Sequence, residues 1–211
     1  MAKFKTIDDL DVDGKRVLVR VDLNVPMMDG KITDTSRIDR VVPTLGELSN
    51  KGARVVVLSH FGRPKGRVNM EFTLKPVAEA LQLALGLTVR FCPESIGDKA
   101  AQYINEAAED EVVMLENLRF HPGEEENDRM FAIRLADLGD AYVDDAFSCS
   151  HRAHASIEGL ALLLPAAAGR LMQAEVEALT SALEAPEHPV AAVVGGAKVS
   201  TKMEVLGNLS A

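Results

Sequence analysis

The chain has 211 residues, 47% hydrophobic and 26% charged, an ordinary balance for a folded protein that excludes a disordered chain. Its 32 acidic and 23 basic residues leave a net charge of −9, so the overall field repels phosphate polymers; a general nucleic-acid or anionic-membrane binder is excluded, and any basic cluster must be local. No run approaches the ~20 apolar residues that span a bilayer, no apolar leader follows Met1, and Cys92 and Cys149 stand in no metal spacing, so the expectation is a cytoplasmic protein in a reducing compartment with neither nucleic acid nor membrane as partner.

The first apolar run, 17–19, reads as a strand and is followed by Val21-Asp22-Leu23-Asn24-Val25-Pro26. Ile38, Val41, Val42, Leu45 and Leu48 form a helical stripe, with Thr35 or Ser36 to cap it and Gly52 beyond its end. The run 55–58 leads into Ser59-His60-Phe61-Gly62-Arg63-Pro64. A helix follows from Pro76 to Leu85, stopped by Gly86, then a weaker strand over 88–91 and a third helix marked by Ile104, Ala107 and Ala108. The run 112–115 opens onto Glu116-Asn117-Leu118-Arg119-Phe120, and the acidic Glu124-Glu125-Glu126 reads as a solvated turn. Phe131, Leu135 and Leu138 mark a fourth helix ending at Gly139. The run 141–143 then leads into Asp144, Asp145, Arg152 and His154. A long helical pattern covers 166–185; Pro186 and Pro189 break it before a last apolar run, 190–194, and the Gly195-Gly196 turn.

The runs are continuous and β-branched rather than alternating, as in strands buried on both faces of a parallel sheet. The fold class is therefore α/β, a doubly wound parallel sheet with flanking helices (Rossmann-like), expected as the first of two lobes. The helix over 166–185 reads as a connector, and a βα unit with no sheet to join marks the chain as truncated.

In such a sheet the ligand site lies outside the carboxyl ends of the strands. Asp22, Asn24, Arg37, His60, Arg63, Arg119 and Arg152 all fall there. Guanidinium forks suit phosphate or carboxylate, while Asp and Asn position a hydroxyl, so the implied ligand is small, doubly anionic and hydroxylated. Each residue alone has a plainer reading: a surface ion pair for an arginine, a hydrogen-bonded loop residue for His60. Cys149, His151 and His154 lack a fourth ligand for zinc, and no metal site is expected. Asp144 and Asp145 could hold a cation, though pairing an arginine or capping a helix is preferred. Gly195-Gly196-Ala197-Lys198-Val199-Ser200-Thr201-Lys202 follows a strand and opens a helix, a weak nucleotide-phosphate signal without a Walker A or G-x-G-x-x-G pattern.

Six segments in this order, at 21–26, 59–64, 115–120, 145–147, 151–156 and 195–202, resemble the phosphoglycerate kinase family, over its amino-terminal half. One departure is Ser148-Cys149-Ser150, where the family usually has Gly after Asp-Ala-Phe; it is expected to alter loop stiffness more than the ligand set. The resemblance implies reversible phosphoryl transfer between 1,3-bisphosphoglycerate and MgADP, giving 3-phosphoglycerate and MgATP, in a full-length protein expected to be a monomer. It implies a substrate domain over 1–168, an interdomain helix over 169–187 and the start of a nucleotide-binding domain over 188–211. It places Asp22 and Asn24 at the glycerate end of the substrate, and includes Leu23, Phe61 and Gly62 among the substrate-binding residues. Arg63, Arg119 and Arg152 with His60 fall at the 3-phosphate, Arg37 and Lys198 at the moving phosphoryl, and Lys202 on nucleotide phosphate. Two rivals stand beside it: a dinucleotide-binding oxidoreductase, disfavoured by the missing glycine fingerprint, and a non-catalytic anion-binding lobe.

Overall fold

The structure is a computed structural model that describes residues 4–184. In chain order its elements are β1 (Arg16–Arg20), a short antiparallel pair β2 (Met27–Met28) and β3 (Lys31–Ile32), α1 (Ser36–Asn50), β4 (Arg54–Leu58) and α2 (Lys75–Leu85). There follow β5 (Val89–Cys92), α3 (Asp98–Glu106), β6 (Val112–Leu115), α4 (Pro122–Glu125), α5 (Arg129–Ala136) and β7 (Ala141–Asp144). Last come α6 (Leu160–Leu163), β8 (Ala166–Ala168) and α7 (Arg170–Glu184). Six strands form one parallel sheet in the order β5-β6-β4-β1-β7-β8.

Alternation within each strand explains the continuous apolar runs. Val17, Val19, Val55, Val57, Met114 and Val143 face a core completed by α1 and α2 through Ile38, Leu45, Val77 and Leu81. Leu18, Val56, Leu58, Val113, Leu115 and Tyr142 face the opposite core, filled by Ile104 of α3, Phe131 and Leu135 of α5 and Leu160 of α6. With both faces covered, neither set of residues tolerates a polar replacement without loss of burial.

The helix ends follow local chemistry. Asp34 Oδ1 accepts from the Ser36 N–H at 2.7 Å ahead of α1, and Thr35 makes no side-chain cap. Gly86 ends α2 in the left-handed region, as glycine there allows. The weaker strand expected over 88–91 is present as β5, paired with β6 at the edge of the sheet. One expectation is corrected. The helix expected over 166–185 begins only at Arg170, because Ala166–Ala168 pairs with β7 as a sixth strand. Alanine favours helices, but Pro165 and Gly169 bracket the segment, the Pro165 carbonyl accepts from Tyr142, and a free sheet edge outweighs propensity.

The chain divides into two units, Met1–Gln173 and Ala174–Ala211, with the division inside α7. No helix among the described residues is long and apolar enough to cross a membrane. The strand over 190–194 and the turn at 195–196 lie outside the described residues.

Candidate active site

The four central strands, β6, β4, β1 and β7, deliver their following loops to one cleft of about 260 Å3. Asp22 and Asn24 come from β1; His60, Gly62 and Arg63 from β4; Arg119 from β6; and Ser148, Cys149 and Arg152 from β7. Arg37 reaches in from the first turn of α1. Leu23 and Phe61 differ from expectation. Leu23 is fully buried, and Phe61 packs in the core beside Phe72, ring centroids 6.4 Å apart. Their backbones shape the site, but their side chains do not line it. Lys198 and Lys202 lie outside the described residues.

Two buried polar side chains hold the loops in register. Ser59 Oγ donates to the Val21 carbonyl at 2.9 Å and accepts from the Leu23 N–H at 3.1 Å. Asn117 uses its whole amide. Its Nδ2 donates to the carbonyls of Phe61 (2.7 Å) and Phe72 (2.9 Å), and its Oδ1 accepts from the N–H groups of Phe61 and Arg119. Gly62 contributes backbone: its N–H donates to Asn24 Oδ1 at 2.9 Å and its carbonyl accepts from Arg119 Nη1 at 2.8 Å. It sits at φ 59°, and an added Cβ would lie 2.3 Å from the Phe72 ring. Glycine is therefore required twice over, by conformation and by space.

The cleft is electropositive despite the acidic chain. Arg63 and Arg152 are exposed and without a polar partner among the described residues. Arg119 is only 3% exposed. Its Nε–H has no hydrogen-bond acceptor, and the nearest counter-charge, Glu125, stands 3.4 Å away. Burial pulls its pKa below the ordinary arginine value. Arg37 donates from Nη1 to Asp22 Oδ2. Burial would raise the Asp22 carboxyl, but the Ser148 hydroxyl, the Asn24 N–H and the Arg37 guanidinium outweigh it and hold the group below its usual range.

His60 is not a cation here, a revision of the basic patch expected from the sequence. It is 4% exposed, and burial with Arg20 and Arg119 nearby lowers its pKa to about 2. Arg20 Nη2 donates to its Nδ1 at 3.0 Å, so the proton of the neutral ring resides on Nε2 and His60 offers a donor without a charge. Behind it Arg20 Nε donates to Ser156 Oγ at 2.8 Å, and Ser156 donates in turn to Glu124. Glu124 is fully buried, which corrects the reading of 124–126 as a solvated turn; Glu125 and Glu126 are exposed. Arg20, Glu124 and Ser156 were missed. A lone arginine at the end of the run Val17-Leu18-Val19 was the signal available.

Asp22, His60 and Cys149 place one ligand atom each within 4.8 Å of one another, a group of metal-binding type. The tautomer argues against it: Nδ1 is taken by Arg20, and a protonated Nε2 has no lone pair to give. Asp145 Oδ1 accepts from the Met172 N–H at 3.0 Å in the first turn of α7, which is the capping role preferred for it. A larger cleft of about 500 Å3 lies beyond β5 and β6, but among the described residues Glu94 and Glu116 line it with Lys75 as the only lysine or arginine, a poor field for a dianion.

Fold and cleft together define a class: a doubly wound α/β domain with an arginine-lined cleft outside the carboxyl ends of its central strands. The family model described as phosphoglycerate kinase matches residues 7–211. The chain is 60% identical over 206 residues to phosphoglycerate kinase of Rhodospirillum centenum, and 61% identical over 207 residues to that of Sinorhizobium medicae. Each match covers 98% of this chain and 52% of the relative. Among solved structures it is similar to phosphoglycerate kinase from Coxiella burnetii, with a TM-score of 0.84 and 43% identity over 98% of this chain and 51% of that one. It is also similar to that from Pyrococcus horikoshii OT3, with a TM-score of 0.87 and 35% identity over 98% and 52%. The chain belongs to the phosphoglycerate kinase family. It spans about half the length of the curated relatives it matches.

Proposed function

We propose that the cleft binds 3-phosphoglycerate and 1,3-bisphosphoglycerate and serves as the glycerate side of a reversible phosphoryl transfer with MgADP and MgATP. A carboxylate oxygen of 3-phosphoglycerate attacks the terminal phosphorus of MgATP, the bond to ADP breaks, and an acyl phosphate results. The attacker is already an anion, so no general base is needed; positioning and charge neutralisation do the work. Arg63, Arg119 and Arg152 hold the 3-phosphate, with His60 adding a neutral Nε2–H donor. Asp22 accepts the substrate hydroxyl, and Asn24, whose Oδ1 is held by Gly62, offers its Nδ2. Arg37 balances charge on the moving phosphoryl from one side and Lys198 from the other, while Lys202 takes nucleotide phosphate. In this reading residues 1–168 form the substrate domain, 169–187 the interdomain helix and 188–211 the beginning of the nucleotide-binding domain, in a monomeric cytoplasmic enzyme. The 211 residues alone bind the glycerate ligand without turning it over.

The observation that carries the reading is Arg119, a buried guanidinium whose Nε–H has no hydrogen-bond acceptor and whose counter-charge is the exposed Glu125 3.4 Å away. Such a charge is costly unless an anion completes it. Isothermal titration with 3-phosphoglycerate, MgATP and NADH tests the reading. Binding of 3-phosphoglycerate, weakened at least about tenfold in Arg119→Ala, is the expected result. Binding of NADH in its place, or no response to 3-phosphoglycerate, overturns it.

A further inference from the structure

Among the described residues, Asp22 is the only carboxylate lining a cleft ringed by Arg37, Arg63, Arg119 and Arg152. An unrestrained carboxylate there competes with an anionic ligand for the same guanidinium groups. Its Oδ1 accepts from the Asn24 N–H at 3.1 Å, and its Oδ2 accepts from both Arg37 and the Ser148 hydroxyl, the latter at 2.6 Å. Ser148 thus ties the loop after β7 to the loop after β1 at the acidic Asp22 of the cleft. It stands on a single 3-10 turn, Phe147–Cys149, closed by the Cys149 N–H on Ala146 O (2.8 Å) and the Ser150 N–H on Phe147 O (3.1 Å). Residue 148 is not at positive φ, so its backbone does not demand glycine, and what the residue brings is its hydroxyl.

Resting on the reading of this cleft as a glycerate site, we propose that Ser148 is a positioning residue. By donating to Asp22 Oδ2 it orients the carboxylate toward the ligand hydroxyl and shares the charge that otherwise commits Arg37 wholly to Asp22. Without it Arg37 is the remaining side-chain donor to that oxygen, and the guanidinium is less available to a ligand anion. Loss of the hydroxyl also lets burial push the Asp22 carboxyl up. The groups facing Asp22 are Arg37 from α1, His60 after β4 and Cys149 after β7, with Arg63, Arg119 and Arg152 around the same cleft. His60 titrates at about 2, so it does not contribute to an acid limb above pH 3.

Ser148 is exposed, so replacing it leaves the fold intact. The test compares the parent chain with Ser148→Ala and Ser148→Thr in two measurements. Calorimetric titration with 3-phosphoglycerate across pH 4–8 should show an affinity about five- to tenfold lower in Ser148→Ala, with its acid limb moved to higher pH. Ser148→Thr, which keeps the hydroxyl, should restore both. Carbon-detected NMR titration of the Asp22 carboxyl in the ligand-free chain should show its pKa raised in Ser148→Ala alone. Affinity within about twofold of the parent, failure of threonine to rescue, or an unmoved Asp22 titration overturns the proposal. If the parent chain ignores 3-phosphoglycerate, the functional reading fails, while the ligand-free titration still decides whether Ser148 governs Asp22.

Discussion

Arg119 is 3% exposed, its Nε–H has no hydrogen-bond acceptor, and its counter-charge Glu125 is an exposed carboxylate 3.4 Å away, so the folded chain carries part of the cost of that charge whenever the cleft lacks an anion. Replacing it by methionine, similar in length and without charge, should change unfolding free energy by no more than about 1 kcal/mol, measured by urea denaturation, while 3-phosphoglycerate binding is lost. A large destabilisation with binding retained would make Arg119 a structural residue. His60, His121 and His154 are all kept neutral chiefly by burial. The unfolded chain takes up protons at these sites below about pH 6.5 and the folded chain only at lower pH, so stability should fall as pH drops from 7 to 5. Asp144 and Asp145, raised by burial, act in the opposite sense. Urea midpoints at several pH values should therefore show a flatter slope in His60→Gln; an unchanged slope would mean that His60 is not the buried neutral base described. The arginines at 63, 119 and 152 were legible because each follows a strand pattern in an otherwise acidic chain, and Arg37 because it opens the helix beyond the Asp22 loop. Arg20 and Glu124 were not, because their burial depends on Ser156, 136 positions from Arg20 and 32 from Glu124.

The loops that bear these residues are positioned by polar staples, not by their own propensities. Asn117→Ala removes partners from four backbone groups of the Phe61, Phe72 and Arg119 segments at once. It should cost at least about 2 kcal/mol by denaturation and weaken ligand binding together with stability. The start of α7 is set with similar economy: an added Cβ at Gly169 would stand 2.2 Å from Asp145 Oδ1, the oxygen that accepts from Met172. Gly169→Ala should destabilise the chain by about 1–3 kcal/mol, read as a lower Tm; an unchanged Tm would show that the α7 cap moves freely. Strands and helices with strong apolar periods were legible. Ala166–Ala168 was not, since three alanines carry no strand signal and only the open edge of β7 makes them a strand.

The sheet order decides which loops meet. The chain passes from β1 to β4 in one direction and later returns to lay β7 on the other flank of β1, and the cleft opens at that reversal. A linear reading ranks every post-strand loop alike; only the order β6-β4-β1-β7 explains why four of them converge and why the larger cleft beyond β5 and β6 stays apart. The proposed role of the cleft therefore turns on where a phosphorylated carboxylate binds. Amide chemical-shift mapping of the 15N-labelled chain with 3-phosphoglycerate measures this directly. Saturable shifts are expected at Asp22, Asn24, Gly62, Arg63, Arg119, Ser148 and Arg152, with Phe91, Glu94 and Ser95 unmoved. Shifts confined to Phe91, Glu94 and Ser95, or none at millimolar ligand, would rule out the arginine-lined cleft as the glycerate site.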